Sequence, residues 1–229
     1  MQENKIQVFD KPEWVAQTHH KMLIIDEKKA LVSTGNFDEE SFDGDKNYPL
    51  GTRDFTVLVE DMYMVSEMVN VFKSDIINIK YVFKNNDLLW GPTNQREKLL
   101  KIINTAQKEI FMYQQSLSDK EIVEALIKKI KEGVNVKIIM VPFPFRKNID
   151  SNFIIQKRLR KLGVKIRYLI DGTFVHAKII VIDPMTKRRK AYLGSCNLYR
   201  PSIDYNRELG VIITGSKIIN KLSLYHKKD

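Results

Sequence analysis

One cysteine, Cys196, stands in 229 residues, which excludes a disulfide framework within the chain and leaves the compartment open. No run of about 18 apolar residues occurs, so the sequence contains no transmembrane helix, and the opening Met1-Gln2-Glu3-Asn4-Lys5 has no signal-peptide core. Neither G-x-G-x-x-G nor G-x-x-x-x-G-K-[ST] is present, so no nucleotide or dinucleotide cofactor is expected. There is no H-E-x-x-H and no Cys/His cluster, which removes the usual zinc signatures. No aromatic RNA-binding motif is evident either. Acidic residues are the minority: 28 Asp and Glu against 38 Lys and Arg give a formal charge of +10. That balance favours anionic partners, phospholipid surfaces or nucleic acid, without choosing between them. Part of the surplus lies on a helix face (Lys128, Lys129, Lys131) or in the tail (Lys227, Lys228), where lysines are usually just solvated.

What is there is a signature written twice. His19-x-Lys21 is followed by Asp26, Thr34 and Asn36; His176-x-Lys178 is followed by Asp183, Ser195 and Asn197. The second copy lies on an apolar, β-branched run, Thr173 to Asp183, which reads as a buried strand. Strand side chains alternate, so His176 and Lys178 share a face with Phe174, Ile180 and Ile182. His19, Lys21, Leu23 and Ile25 share a face in the same way, which leaves the adjacent His20 pointing elsewhere. Asp26 and Asp183 fall out of phase with their histidines and are expected to be structural carboxylates. After each strand the chain turns back through a short polar segment and reaches Ala30–Asn36 or Ala191–Asn197, where the hydroxyl residue and the asparagine are two apart. A further echo follows, Arg53-Asp54-Phe55 and Arg207-Glu208-Leu209, each ahead of an apolar strand. Such a carboxylate can orient a histidine through its second ring nitrogen.

A single histidine on an apolar strand is most often a satisfied core residue. Repetition of matched positions at ordered spacing argues otherwise for His19, Lys21, Asn36, His176, Lys178 and Asn197. Asp54 and Glu208 are balanced between a supporting role and an ordinary Arg-carboxylate pair, and Thr34 and Ser195 between a supporting role and a turn closure.

These residues resemble the phospholipase D superfamily, whose motif is H-x-K-x4-D-x6-G-S-x-N. The second copy keeps Gly194-Ser195-x-Asn197 after a longer insertion; the first keeps the gap but reads Ser33-Thr34-Gly35-Asn36. From about Leu88 to Thr214 the chain looks like one whole lobe of a bacterial phospholipase D-like, cardiolipin-synthase-like protein. The resemblance implies a pseudo-twofold, duplicated α/β/α sandwich and metal-independent phosphodiester chemistry. One imidazole attacks phosphorus and holds it as a phosphohistidine, and the other, protonated, serves the leaving alkoxide and then the incoming water or alcohol. The lysines and asparagines would hold the non-bridging oxygens. Family precedent assigns His19 as nucleophile and His176 as acid/base; the residues themselves are symmetric on this point. Each histidine has an ammonium two residues away on its own face, which disfavours a divalent metal.

The organisation is α/β with parallel strands. Asn94-x-x-Glu97 and Ser118-x-x-Glu121 open helices; strands are expected at 110–113, 134–141 and 164–170; Pro142 and Pro144 mark a loop before a helix at 151–162. The run Met62 to Phe83 reads as a core-facing amphipathic helix, and Asn85-Asn86-Asp87 begins a polar hinge. The domains are therefore 1–84, the latter part of a first lobe, and 85–229, a complete second lobe. In lobe one only a strand at 5–9 is expected ahead of the histidine. By the internal repeat, on the order of 75 residues have no counterpart, so an N-terminally incomplete first lobe with an uncovered edge or apolar face is expected. The expected substrate is a phosphodiester, phospholipid first, with peripheral membrane contact compatible with the charge. The alternatives are a nuclease using the same site, or an inactive anion-binding fragment.

Overall fold

The computed structural model describes residues 6–42, 50–142, 151–169 and 173–229. Lys5, Pro144 and Ile170, named in the expectations above, lie outside the described residues.

The first lobe is built on a hairpin, β1 (Lys21–Ile25) and β2 (Lys29–Ser33), closed by Asp26 and Glu27 at φ 52° and 53°. A short helix α1 (Glu39–Phe42) and the two-residue strand β3 (Thr52–Arg53) lead to β4 (Thr56–Val59), which pairs antiparallel with β2. The result is a three-stranded sheet in the order β1-β2-β4. Helix α2 (Met62–Ile76) starts at Asp61, whose carboxylate accepts from the Met64 N–H at 2.9 Å, an N-cap that satisfies one orphan donor. Its apolar stripe, Val65, Met68, Val69 and Val71, is buried as the periodicity predicts, although the helix stops well short of Phe83.

The second lobe holds a seven-stranded sheet in the order β5-β12-β11-β10-β6-β7-β8. Its elements run β5 (Leu88–Trp90), α3 (Gln95–Asn104), β6 (Glu109–Gln114), α4 (Lys120–Lys131), β7 (Asn135–Met140), α5 (Ser151–Lys161), β8 (Lys165–Arg167), β9 (Phe174–Val175), β10 (Lys178–Ile182), β11 (Lys190–Gly194), α6 (Arg200–Asp204), β12 (Leu209–Ile213) and α7 (Ser216–Lys228). The expected parallel sheet is found only at β6-β7-β8. The other four strands run antiparallel to their neighbours because short turns join β10 to β11 and α6 carries β11 to β12. The run 173–183 is not one strand either: it breaks at His176 and Ala177, and β9 leaves the large sheet to pair in parallel with β3 of the first lobe. Asp119, not Ser118, caps α4 by accepting from the Ile122 N–H.

One face of the large sheet packs on α3, α4, α5 and α6, with Ile180, Ile182, Leu99, Ile103, Leu126 and Leu159 fully buried between the layers. The other face shares a core with α7 and with the first lobe: Ile179, Val181, Leu193 and Val211 meet Ala30, Val32, Val65 and Met68. Complete burial of such side chains stabilises by roughly 1.5–3 kcal/mol each, so the two lobes are fused through apolar contact. The expected polar hinge is pinned: Glu67 of α2 accepts from the N–H groups of Lys84 and Asn85, both at 2.8 Å, and from the Trp90 indole at 3.3 Å.

No strand forms at residues 6–9; Ile6, Val8 and Phe9 are exposed, and no strand among the described residues pairs with them. The small sheet is correspondingly bare. Its cross-strand row Leu23, Leu31, Leu58 faces outward, with Leu23 and Leu58 49% and 48% exposed and Ile25 at 41%. The row that repeats it in the second lobe, Ile180, Tyr192, Ile212, lies under helices.

Candidate active site

The repeated motifs meet where the two lobes join, and they do so crosswise. His19 precedes β1 and its backbone is held by the second lobe, its N–H donating to the Arg207 carbonyl at 2.9 Å. Its Nδ1 donates to Glu208, 2.9 Å from Oε1 and 3.0 Å from Oε2. His176, in the break between β9 and β10, is held by the first lobe: the Ala177 N–H donates to the Arg53 carbonyl, and His176 Nδ1 lies 3.1 Å from Asp54 Oδ2. Each lobe thus supplies the carboxylate for the other lobe's imidazole. In both rings Nδ1 is engaged, which fixes the ring and leaves Nε2 for chemistry.

The hydroxyl residues of the motif orient those carboxylates. Thr34 Oγ1 donates to Asp54 Oδ1 at 2.6 Å, and Ser195 Oγ donates to Glu208 Oε2 at 2.5 Å. Two further donors escaped the sequence reading. Thr52 Oγ1 reaches Asp54 Oδ2 at 2.6 Å, and Ser202 Oγ on α6 reaches Glu208 Oε1 at 2.5 Å. Thr52 was findable, since it shares a strand face with Asp54; Ser202 leaves no local signal. Burial alone would raise both carboxyl groups, but the hydrogen bonds and charge of His176 on Asp54, and of His19 on Glu208, leave each below its ordinary value. Gly35 is required because a Cβ there would stand 2.5 Å from the Asp54 carboxyl group.

Each lysine opens the strand that follows its histidine, Lys21 in β1 and Lys178 in β10. Lys21 Nζ donates to the His19 carbonyl at 2.5 Å, and Lys178 Nζ to the His176 carbonyl and to the Thr34 carbonyl at 3.3 Å. Both ammonium groups titrate below the usual lysine range because of burial, and Lys178, fully buried, is held down to about 7 against the pull of Asp54. Burial and the neighbouring Lys178 charge depress His176, and Asp54 opposes them.

The asparagines are not equivalent. Asn197 is 5% exposed with its Oδ1 unpaired, a buried amide whose spare capacity at that atom is to accept a hydrogen bond. Asn36 is exposed and shares a hydrogen bond with Asp38. The motif aspartates lie outside the site. Asp183, at φ 47°, accepts from the N–H groups of Gln107, Lys108 and Glu109 at 2.8–2.9 Å and so anchors the start of β6. Asp26 has the same left-handed backbone, is exposed, and has no such partner among the described residues. His20 faces away from the site, edge-on to Trp90, and burial beside Arg207 holds it down to about 4.

Fold and site together define an α/β protein in which two repeats contribute reciprocal imidazole-carboxylate pairs flanked by lysines. The family described as "Cardiolipin synthase, PLD-like domain" matches residues 99–229, and the chain belongs to this family, within the phospholipase D superfamily. A cardiolipin synthase of Clostridium perfringens (strain SM101 / Type A) is 28% identical over 243 residues, 93% of this chain and 49% of the relative. The chain therefore spans about half the length of the curated relatives it matches over most of its own. Phospholipase D Z of Dictyostelium discoideum is 33% identical over 40% of this chain and 21% of its own length. Among solved structures, the phosphatidylserine synthase of Haemophilus influenzae superposes with TM-score 0.66 at 12% identity, covering 92% of this chain and 61% of that one. The phospholipase D family member Nuc of Salmonella typhimurium gives 0.55 at 22%, covering 62% and 90%. Both likenesses establish the fold. No helix among the described residues is long and apolar enough to cross a membrane.

Proposed function

We propose that the chain is a phosphodiesterase of the phospholipase D type that works without a metal, with phospholipid as its substrate. The observation that carries this reading is the reciprocal pairing of His19 with Glu208 and His176 with Asp54. Two oriented imidazoles flanked by the buried Lys178 and the half-buried Lys21 suit in-line displacement at a phosphate diester. In the first step His19 Nε2 attacks phosphorus, the P–N bond forms, and the bond to the leaving oxygen breaks. His176, as imidazolium, gives its Nε2 proton to the departing alkoxide. In the second step a water or alcohol oxygen attacks phosphorus, its proton passes to His176, and the P–N bond breaks, restoring both rings. Lys21, Lys178 and Asn197, with Asn36 at the rim, would hold the non-bridging oxygens as charge grows on them. Hydrolysis and transfer differ only in the second acceptor.

Phospholipid is favoured over nucleic acid by two features. The relatives matched over most of the chain are named cardiolipin synthases, and Phe37 and Phe42, just past Asn36, are 51% and 70% exposed, as suits contact with a lipid surface. The test is to incubate the protein with headgroup-labelled phosphatidylglycerol vesicles and, separately, with nicked and supercoiled DNA, then quench with alkali. Headgroup release or transfer with an acid-labile phosphohistidine on His19, lost in His19→Ala and in His176→Ala and insensitive to chelators, is expected. Turnover surviving either substitution would overturn the two-histidine mechanism. DNA cleavage without lipid turnover would move the substrate assignment to nucleic acid.

A further inference from the structure

At the far edge of the large sheet, away from the paired imidazoles, a groove of about 660 Å³ is lined by Lys137, Arg160, Lys165, Arg167, His226 and Lys227, with no acidic residue on its walls. Strand alternation explains the paving. Val136, Ile138 and Ile166 turn into the helical core, which sends Lys137, Lys165 and Arg167 to the opposite face. Helix α7 lies over β6, where the His226 ring packs against Phe111, and leaves that face of β7 and β8 open. Strand β8 ends the sheet, three strands from β10 and its Lys178, a separation of roughly 14 Å at about 4.8 Å per strand.

The charges gathered there lack counterions. Arg160, Lys165 and Lys227 meet no carboxylate among the described residues; Arg167 donates to the His226 carbonyl, and Lys137 bonds Glu109 at 2.5 Å. His226 is 3% exposed, and its Nε2 has no hydrogen-bond partner among the described residues. Burial first, then the charges of Arg167 and Lys137, hold its ring below the ordinary histidine range, so the positive field converges on this wall. Like charges crowded beside a low-dielectric wall repel one another, and an anion seated among them relieves that repulsion.

A second groove adjoins the first and shares Arg160. It measures about 420 Å³, has mostly apolar walls, and runs along Phe153 and Tyr168, both exposed, with the Arg160 guanidinium 5.6 Å from the centre of the Tyr168 ring. A cationic pocket joined to an apolar trough at one arginine fits an anionic amphiphile better than a bare anion.

We propose that the two grooves form a second lipid site, which holds the phosphate of an acidic phospholipid among Arg160, Lys165, Arg167 and Lys227 and lays the start of an acyl chain along Phe153 and Tyr168. The planar guanidinium forks suit paired phosphate oxygens, and the lysines add point charges. Inorganic phosphate meets only the cationic half. The site takes no part in the phosphodiester chemistry, so binding here survives loss of Lys178.

The test titrates soluble dihexanoyl phosphatidylglycerol into the intact chain carrying Lys178→Met, with binding followed by calorimetry and located by amide exchange. Saturable binding with slowed exchange in β8 and the last turn of α7 is expected. It should weaken about tenfold or more in Lys165→Glu/Lys227→Glu and in Phe153→Ser, all exposed positions, and be weaker by a similar factor for dihexanoyl phosphatidylcholine and for inorganic phosphate. Absence of saturable binding, or protection that falls elsewhere, would overturn the proposal. So would equal affinity for phosphatidylcholine, which removes the anion requirement, or for inorganic phosphate, which removes the lipid.

Discussion

Glu208, at the head of β12, accepts a hydrogen bond from His19, 189 residues earlier in the chain, while also receiving the hydroxyls of Ser195 and Ser202. The mirror relation joins His176 to Asp54 with Thr34 and Thr52 behind it. Neither lobe therefore owns a complete site. The two imidazoles, the carboxylates that hold them and the lysines come together only when the lobes pack, which ties the site's geometry to the shared apolar core.

This crosswise dependence separates the two carboxylates by their effect on pH. Asp54 raises the His176 imidazolium against burial and Lys178, so Asp54→Asn lowers His176 further and moves the acid-catalyst limb of the rate profile to lower pH. At neutral pH kcat should fall by about 10²–10⁴-fold with KM little changed. Glu208→Gln should cost a similar factor through ring orientation, and Ser195→Ala less. Steady-state kinetics across pH check this; an unshifted limb in Asp54→Asn would remove His176 from the acid role.

Arg207 is expected to matter for stability in a way its place beside Glu208 does not announce. Its side chain is fully buried, bonds the Asp75 carboxylate through Nε at 2.8 Å and through Nη2, and lies 4.4 Å from the centre of the Trp14 ring. Removing one partner of a buried pair leaves the other charge stranded. Arg207→Ala should destabilise by about 3–5 kcal/mol, read as a lowered urea midpoint at an unchanged slope. A midpoint within error of the parent would count against this anchoring role.

Two buried histidines set the response to acid. Burial, aided by Arg167, holds His226 down to about 3, and burial beside Arg207 holds His20 down to about 4. Between these values and the ordinary 6.5 the unfolded chain binds more protons than the folded one. Stability therefore falls as pH drops below about 6.5, by a few kcal/mol in all. His226 lies among Phe111 and Tyr113, with ring centres 4.5 and 5.3 Å away, so His226→Phe should flatten the slope between about pH 6.5 and 4. Parallel stability-against-pH lines for parent and variant would refute the assignment.

How much of this was legible beforehand follows from what acts locally. Strand alternation turned His20 away and set Asp183 apart from the histidines, as the structure does; it also put each lysine beside its histidine on one strand face, whereas both histidines lie just ahead of their strands and each lysine Nζ meets the histidine's main-chain carbonyl. The pairing of carboxylates across lobes was not legible, because it depends on how two sheets pack and not on spacing. The strand expected at 5–9 does not form over its described residues 6–9, which meet no partner strand among the described residues: β-branched and aromatic residues propose a strand, but only an adjacent edge makes one. The mixed sheet was likewise missed, since helix–strand alternation is honest evidence only for β6, β7 and β8. Asn36 and Asn197 look identical in the motif yet differ in burial, a difference that spacing does not encode.

Lys178 offers the sharpest test of the anion-holding role. Burial holds it down to about 7, so it carries its charge below that pH and loses it above. An anion bound against it must raise its affinity for a proton, so binding and protonation are linked. Sulfate, which does not itself titrate near neutrality, should bind more tightly at about pH 6 than at about pH 8.5, with proton uptake near pH 7.5. Calorimetry in buffers of different ionisation enthalpy measures that uptake. Lys178→Met should abolish it and most of the affinity. In the absence of ligand the sign reverses: an unfolded lysine titrates near 10.5, the unfolded chain holds the extra proton between about 7 and 10.5, and the parent should gain stability across that window as pH rises. Sulfate affinity independent of pH, together with a parent and Lys178→Met of equal slope, would show that this ammonium is neither buried as described nor engaged with the anion.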